Sequence, residues 1–243
     1  MSEIPKLSVV IPTYKRPDSA QRLLASLAKQ TLPFGQFEVI VVDDGSSYDL
    51  AVLTDVDYPF SFTCLRQENA GATVARNFGS DHARGELLVF IDDDVKISPE
   101  ALAAVAETFA SEKQALVMGT LVSRGVDEKR PFTAQAVAAA NAHYVQANPD
   151  QNREVHFTLC NTQLLAVRRD DFYALGKLQA PRGGWPNWDD VDFGYRAHLA
   201  GYRLIQCGQA VGEHWDYSLN DMTAANKRWQ RACKSAVRLF ETH

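Results

Sequence analysis

Three groups of carboxylates in this chain have the spacing to do chemistry. Asp92, Asp93 and Asp94 stand in a row after a run of apolar residues. Like charges this close repel one another, and against apolar walls they lose the water that would screen them. In extended backbone Asp92 and Asp94 leave one side of the chain and Asp93 the other. A hard divalent cation relieves the repulsion. Mg2+ and Mn2+ favour oxygen ligands, and Mg2+ is commonly held by a carboxylate or two together with substrate phosphates. The alternative reading of the triplet is an acidic turn facing water. Asp43-Asp44-Gly45 closes a second apolar run. A carboxylate there can accept hydrogen bonds from a base N–H or a ribose hydroxyl, or simply form an Asx-turn. Asp189-Asp190-Val191-Asp192 opens a segment of helical spacing. Asp190 suits a general base that takes the proton from an attacking hydroxyl, and it suits a helix N-cap as well. The two roles are compatible, because a capped carboxylate is fixed in direction. Trp185 and Trp188, close by, either shape an acceptor pocket and stack on a sugar or pack in the core.

The elements that must position these groups follow from the apolar pattern. Leu7–Ile11, Phe37–Val42, Phe62–Gln67, Leu87–Ile91 and Leu116–Val122 are short apolar runs, the mark of strands buried on both faces. Between them lie helices: one opened by Pro17 and Asp18 with Leu23, Leu24 and Leu27 on one side, one over Ala72–His82, and one started by Ser98-Pro99-Glu100 and running to about Phe109. This alternation implies a parallel sheet covered on both faces by helices. Ligands then bind beyond the carboxyl ends of the strands. Pro12-Thr13-Tyr14, Asp43-Asp44 and the aspartate triplet all fall on that rim. The second half is less regular. Its expected elements are an alanine-rich helix over Phe132–Ala147, a polar loop at Asn148–Arg153, a strand at Gln163–Val167 and a short helix at Arg169–Leu175. A loop over Arg182–Trp188 follows, then a helix at Val191–Ala200 closed by Gly201, a strand at Arg203–Cys207 and a last helix at about Met222–Phe240.

The chain has 243 residues and a net charge of −5, with 46% hydrophobic and 23% charged residues. That length suits one large α/β domain. The negative charge argues against a general nucleic-acid binder. The four cysteines form no CxxC pair, which leaves zinc and thioredoxin-like readings without support. Their wide spacing suits reduced thiols in a cytoplasmic compartment. Residues Met1 to Lys6 lack the apolar core of a signal peptide, and runs such as Val39–Val42 are too short to span a bilayer.

PTYKRP at 12–17, VVDDGS at 41–46, ARNFG at 75–79, FIDDDV at 90–95 and WDDVDFGYR at 188–196 occur in this order. Together they resemble glycosyltransferase family 2, over about residues 6–215. The resemblance implies inverting enzymes of GT-A fold. That fold has a mostly parallel central sheet flanked by helices, with a Rossmann-like nucleotide-binding half (about 1–122), an acceptor half (about 123–215) and here a C-terminal helix (about 216–243) in one domain. It implies that Pro12, Thr13 and Tyr14 line the nucleotide pocket, that Asp44 contacts base and ribose, and that Arg76 lies near the nucleotide or diphosphate. Asp92-Asp93-Asp94 takes the family's DxD position, with Asp93 on the ribose and Asp94 on a Mn2+ or Mg2+ ion. Asp190 matches the catalytic base of the family's xED motif. Asp189 stands where glutamate is commoner, which leaves open which neighbour does the chemistry. Gly183 and Gly184 match the glycine loop before it, and His214 is placed to complete the metal site or to serve a structural role. The partners implied are a nucleotide-sugar donor, UDP-linked most often, and a saccharide or lipid-linked acceptor.

Other classes fit less well. A dinucleotide oxidoreductase needs GxGxxG after the first strand, where Pro12-Thr13-Tyr14 stands. A sugar-phosphate nucleotidyltransferase needs a glycine-rich basic loop there. A non-catalytic sugar-nucleotide binder would not need the full acidic set. The last helix carries Lys227, Arg228, Arg231, Lys234 and Arg238 beside Trp229, Val237, Leu239 and Phe240. Such a helix either packs on the domain with a solvated basic face or rests peripherally on an anionic membrane.

Overall fold

In the computed structural model, the residues described are 5–124, 151–179, 188–215 and positions 223, 226, 227, 230, 232 and 233. A nine-stranded sheet dominates them. Its strands are β1 (Leu7–Thr13), β2 (Phe37–Asp43), β3 (Ser61–Arg66), β4 (Leu87–Ile91), β5 (Val95–Ile97), β6 (Ala115–Arg124), β7 (Arg153–Val155), β8 (Leu164–Arg168) and β9 (Arg203–Trp215). The helices are α1 (Pro17–Leu27), α2 (Ala51–Thr54), α3 (Ala72–Asp81), α4 (Ala101–Ser111), α5 (Arg169–Ala174) and α6 (Asp189–Leu199), with 3-10 turns at Phe34–Gln36 and Phe157–Leu159.

The strand order is β3-β2-β1-β4-β8-β6-β9-β5, and β7 also pairs with β9. The first four neighbours are parallel, as the strand–helix alternation requires. Beyond β4 the sheet is mixed, in keeping with a mostly parallel sheet. β8 runs antiparallel between β4 and β6, and β5 and β7 run antiparallel to β9. β1–β4, β6 and β9 still share one direction.

The period of two in the apolar runs divides the core between two faces. Val9, Ile11, Val39, Val41 and Val89 pack on the side covered by α1 and α4. Val10, Ile40, Val42, Leu88 and Phe90 pack on the side covered by α3, α5 and α6. Gly79 lets α3 approach closely, since a Cβ there would meet Val10 Cγ1 at 2.5 Å.

Three boundaries differ from the sequence reading. Helix α4 begins at Ala101, after the Ser98-Pro99-Glu100 start. Ser98 Oγ is buried with no hydrogen-bond partner among the described residues. The amide of Leu102 is satisfied from a distance by Gln30 Oε1 at 3.0 Å, so a tertiary contact replaces the local cap. Helix α6 starts at Asp189 after Trp188, which is left-handed at φ 73° and supplies no side-chain cap. Asp190 therefore lies in the first turn and is not the N-cap. Strand β9 continues from Arg203 to Trp215, well past Cys207, across a register shift opposite Gly119 and Thr120. The sites expected for the Phe132–Ala147 helix, for Gly183, Gly184 and Trp185, and for nearly all of the last helix lie outside the described residues. All four cysteines are free. No helix among the described residues is long and apolar enough to cross a membrane.

Candidate active site

The carboxyl ends of β1 and β4 and the start of α3 meet around an open cleft. Pro12, Thr13, Tyr14, Arg16, Asp44, Ala72, Arg76, Asp92, Asp93 and Asp94 line it. Of the residues that the resemblance puts at the nucleotide and metal, all but His214 line this cleft, together with Arg16 and Ala72.

The turn after β1 sets the first wall. Lys15 adopts φ 55°, rare for a residue with a side chain, and its amide donates to Ser46 Oγ at 2.7 Å. The chain reverses there, with Tyr14 before it and Arg16 after it. Thr13 Oγ1 donates to Asp93 Oδ2 at 2.7 Å, tying the tip of β1 to the triplet. Burial raises the Asp93 carboxyl to about 7, against the lowering pull of Arg16. Asp94 is raised too, first by burial and then by Asp92.

Asp44 is buried, and loop 67–71 occupies both its oxygens. Gln67 Nε2 and the amide of Ala70 donate to Oδ1 at 2.7 and 2.8 Å, and Asn69 Nδ2 and the amide of Gly71 donate to Oδ2 at 3.1 and 2.8 Å. This carboxylate fixes the loop from which α3 departs. Asp43 is fully buried as well. Its Oδ2 accepts from Arg66 Nε at 2.6 Å, and its Oδ1 has no partner among the described residues.

Helix α3 supplies the second wall. Its inner face carries Arg76, which is ion-paired to Asp92 and lies 3.8 Å from Asp189 Oδ2. Thr73 Oγ1 donates to the same Asp189 oxygen at 2.7 Å. Asp189 is thus anchored, while Asp190 remains partly exposed. Burial raises the Asp190 carboxyl to about 7, Asp189 adds to the rise, and Arg76 opposes it. The buried thiol of Cys160 is held well above its ordinary pKa, by desolvation first and then by Asp190 and Asp189. Trp188 Nε1 donates to the carbonyl of Ala232 at 2.8 Å.

His214 reaches the triplet through a pairing that the sequence did not signal. Strand β5 begins directly after Asp94 and lies antiparallel to the end of β9, with Val95 opposite His214. The amide of Trp215 donates to the carbonyl of Asp94 at 3.0 Å. His214 Nε2 then stands 3.5 Å from Asp94 Oδ1, and Gln163 Nε2 contacts the ring at 3.1 Å. A carboxylate and an imidazole at this separation suit a divalent cation whose remaining positions are filled by phosphate and water. Among the described residues no three His, Cys, Asp or Glu side chains converge to hold a metal unaided.

Sequence reasoning gave no role to Arg16, Thr73 or Gln163. Arg16 lay inside the PTYKRP run, directly before the helix-opening proline, and that position was a usable signal. Thr73 and Gln163 carried none, because their roles depend on partners distant in sequence.

The family model for glycosyl transferase family 2 matches residues 8–176. Validoxylamine A glucosyltransferase of Streptomyces hygroscopicus subsp. jinggangensis is 29% identical over 235 residues, which cover 87% of this chain and 56% of that protein. The chain spans about half the length of the first curated relatives it matches. The structure of S. aureus TarS in complex with UDP-GlcNAc superposes with a TM-score of 0.64 at 23% identity, covering 87% of this chain and 58% of that one. GalNAc-T7 with UDP, GalNAc and Mn2+ superposes with a TM-score of 0.67 at 15% identity, covering 88% and 43%. These likenesses establish the GT-A fold, and with the family match over most of its length the chain belongs to glycosyl transferase family 2.

Proposed function

We propose that this chain is an inverting, metal-dependent glycosyltransferase that moves a sugar from a UDP-linked donor to an acceptor hydroxyl in polysaccharide, glycolipid or other glycoconjugate synthesis. The observation that carries the reading is the cleft at the tips of β1 and β4. There an aspartate triplet, with Asp93 buried and Asp92 and Asp94 partly so, and two arginines adjoin, through Arg76, the start of α6 that bears Asp190.

Pro12, Thr13 and Tyr14 form the nucleotide wall, and Asp93 meets the ribose. Asp44 contributes by shaping the loop beside the base. Asp94 and His214 hold Mn2+ or Mg2+, which when bound offsets the charge that develops on the leaving diphosphate. Asp190 takes the proton of the acceptor hydroxyl, and attack from that side inverts the anomeric carbon. Its raised pKa suits the task, since a base matched to neutral pH accepts the proton with the best driving force. Asp189, held by Thr73 and Arg76, orients the start of the helix. One carboxylate suffices as base because the leaving diphosphate needs no general acid, unlike a glycosidase with its two flanking carboxylates. The donor half corresponds to about 1–122 and the acceptor half to about 123–215. The TarS and GalNAc-T7 structures, which hold UDP-GlcNAc or UDP, support the UDP preference.

The test is a thermal-shift screen of UDP-, dTDP- and GDP-sugars with and without Mn2+, because a ligand that binds the native state raises its melting temperature. UDP-sugars with Mn2+ give the largest shift, and EDTA removes the metal-dependent part. Asp94→Asn loses that part as well. A shift unchanged by EDTA and by Asp94→Asn would refute metal dependence.

A further inference from the structure

Arg16 is half exposed, yet its head group is committed to the triplet. Nη1 donates to Asp94 Oδ2 at 2.7 Å and lies 3.3 Å from Asp93 Oδ1. Its backbone forms the N-cap of α1, just after the left-handed Lys15, so the side chain is rooted at the rim of the cleft. The Asp94 carboxylate is divided: Oδ1 faces His214 Nε2 at 3.5 Å, and Oδ2 belongs to the guanidinium. A cation such as Mg2+ on this carboxylate must approach to about 2.0–2.1 Å. At Oδ1, on the His214 side, it would be repelled by the guanidinium charge held on Oδ2 of the same carboxylate.

We propose that Arg16 is the resident counter-ion of the aspartate triplet, and that a divalent cation binds Asp94 by displacing its guanidinium toward the donor's diphosphate. The inference rests on the metal-dependent reading above. The arginine lies between the oxygens of buried Asp93 and half-buried Asp94 and offsets part of their repulsion. The side chain is long and half exposed, so it can turn away without disturbing the core. A guanidinium released at the cleft meets its best new partner in a diphosphate, which it can bind in bidentate fashion. Cation and nucleotide are then coupled. Without nucleotide the cation must evict an arginine that has nowhere better to go. With nucleotide, the diphosphate supplies both metal ligands and a new anion for Arg16, so each ligand tightens the other by the same factor.

Titration of the full chain with Mn2+, followed by electron paramagnetic resonance or calorimetry with and without UDP, tests this. Wild type binds Mn2+ weakly without UDP and more tightly with it. Arg16→Gln binds Mn2+ without nucleotide about tenfold more tightly than wild type, and gains less on addition of UDP. Arg16→Lys keeps the charge and stays near wild type. Thermal melts verify folding, and Arg16→Met serves as a second variant without the charge. An Mn2+ affinity in Arg16→Gln and Arg16→Met equal to or weaker than that of wild type overturns the proposal while leaving the metal reading intact. A gain in Arg16→Lys as large as in Arg16→Gln overturns it too. Absence of Mn2+ binding by wild type at saturating UDP overturns the metal reading and this inference together.

Discussion

Asp190 titrates where an ordinary aspartate would long have lost its proton. Burial and the neighbouring Asp189 lift it to about 7, well above the ordinary carboxylate range. As a general base it must be ionised, so kcat/KM should rise with pH and level off above about 7. Asp190→Asn should lose about 10²–10⁴-fold in transfer, lose this rising limb, and keep donor affinity; calorimetry with UDP and Mn2+ checks the last point. Full activity in Asp190→Asn would end the assignment. The same shifts act on stability. Asp93 and Asp190 are both raised to about 7, so the folded state holds their protons more tightly than the unfolded chain. Below about pH 4 both states are protonated and the contribution is fully present. It is lost as the pH climbs to about 7. The metal-free protein should therefore melt at a lower temperature at pH 7.5 than at pH 5 on account of these groups. Asp93→Asn should flatten that slope, and a slope identical to wild type would show that Asp93 does not titrate in this window. Asp189 shows what sequence could not decide at this scale. Two adjacent aspartates looked interchangeable, and Thr73 and Arg76, more than a hundred residues away, separate the anchored one from the partly exposed one.

Among the elements, those with a strong local pattern were legible. The runs at 7–11, 37–42 and 87–91 specify fully buried strands, and α1, with Pro17 and its leucines, begins where expected. Elements fixed by tertiary partners were not. β5 has three residues and no turn signal, and exists because β9 pairs with it; yet that pairing brings His214 to Asp94. The start of α4 is set by Gln30 rather than by Ser98. Helix α6 shows the same dependence in its packing. A Cβ at Gly194 would stand 2.6 Å from Cys160 Cβ and 3.0 Å from the carbonyl oxygen of Phe157. A methyl group there must push α6 away from the 3-10 turn, at a cost of about 1–3 kcal/mol. Because Asp189 and Asp190 open this helix, Gly194→Ala should lower the urea midpoint and reduce kcat while leaving UDP affinity near wild type. A variant of normal stability and activity would mean that the helix has room to shift.

Across the whole molecule, the parallel half that carries the triplet and the mixed half that carries α6 are tied at the site by Arg76, beside the Thr73–Asp189 hydrogen bond. Arg76, 5% exposed, is ion-paired to Asp92 at the tip of β4 and lies 3.8 Å from Asp189 at the start of α6. The resemblance placed this arginine near the nucleotide. It lines the cleft, and its charge faces protein carboxylates on both sides of the site. Removing one partner of a buried ion pair leaves the others uncompensated, at about 3–5 kcal/mol. Arg76→Met should therefore destabilise the chain strongly, because Asp92 and Asp189 would face each other across the gap. Asp189→Asn should recover part of that loss, since it removes one of the two stranded charges. The double-mutant cycle in urea then gives a coupling energy well above the scatter of independent sites. If Arg76→Met and Asp189→Asn add without coupling, the arginine does not join the halves, and the geometry relating Asp190 to the cleft must be maintained by packing and the Thr73 hydrogen bond.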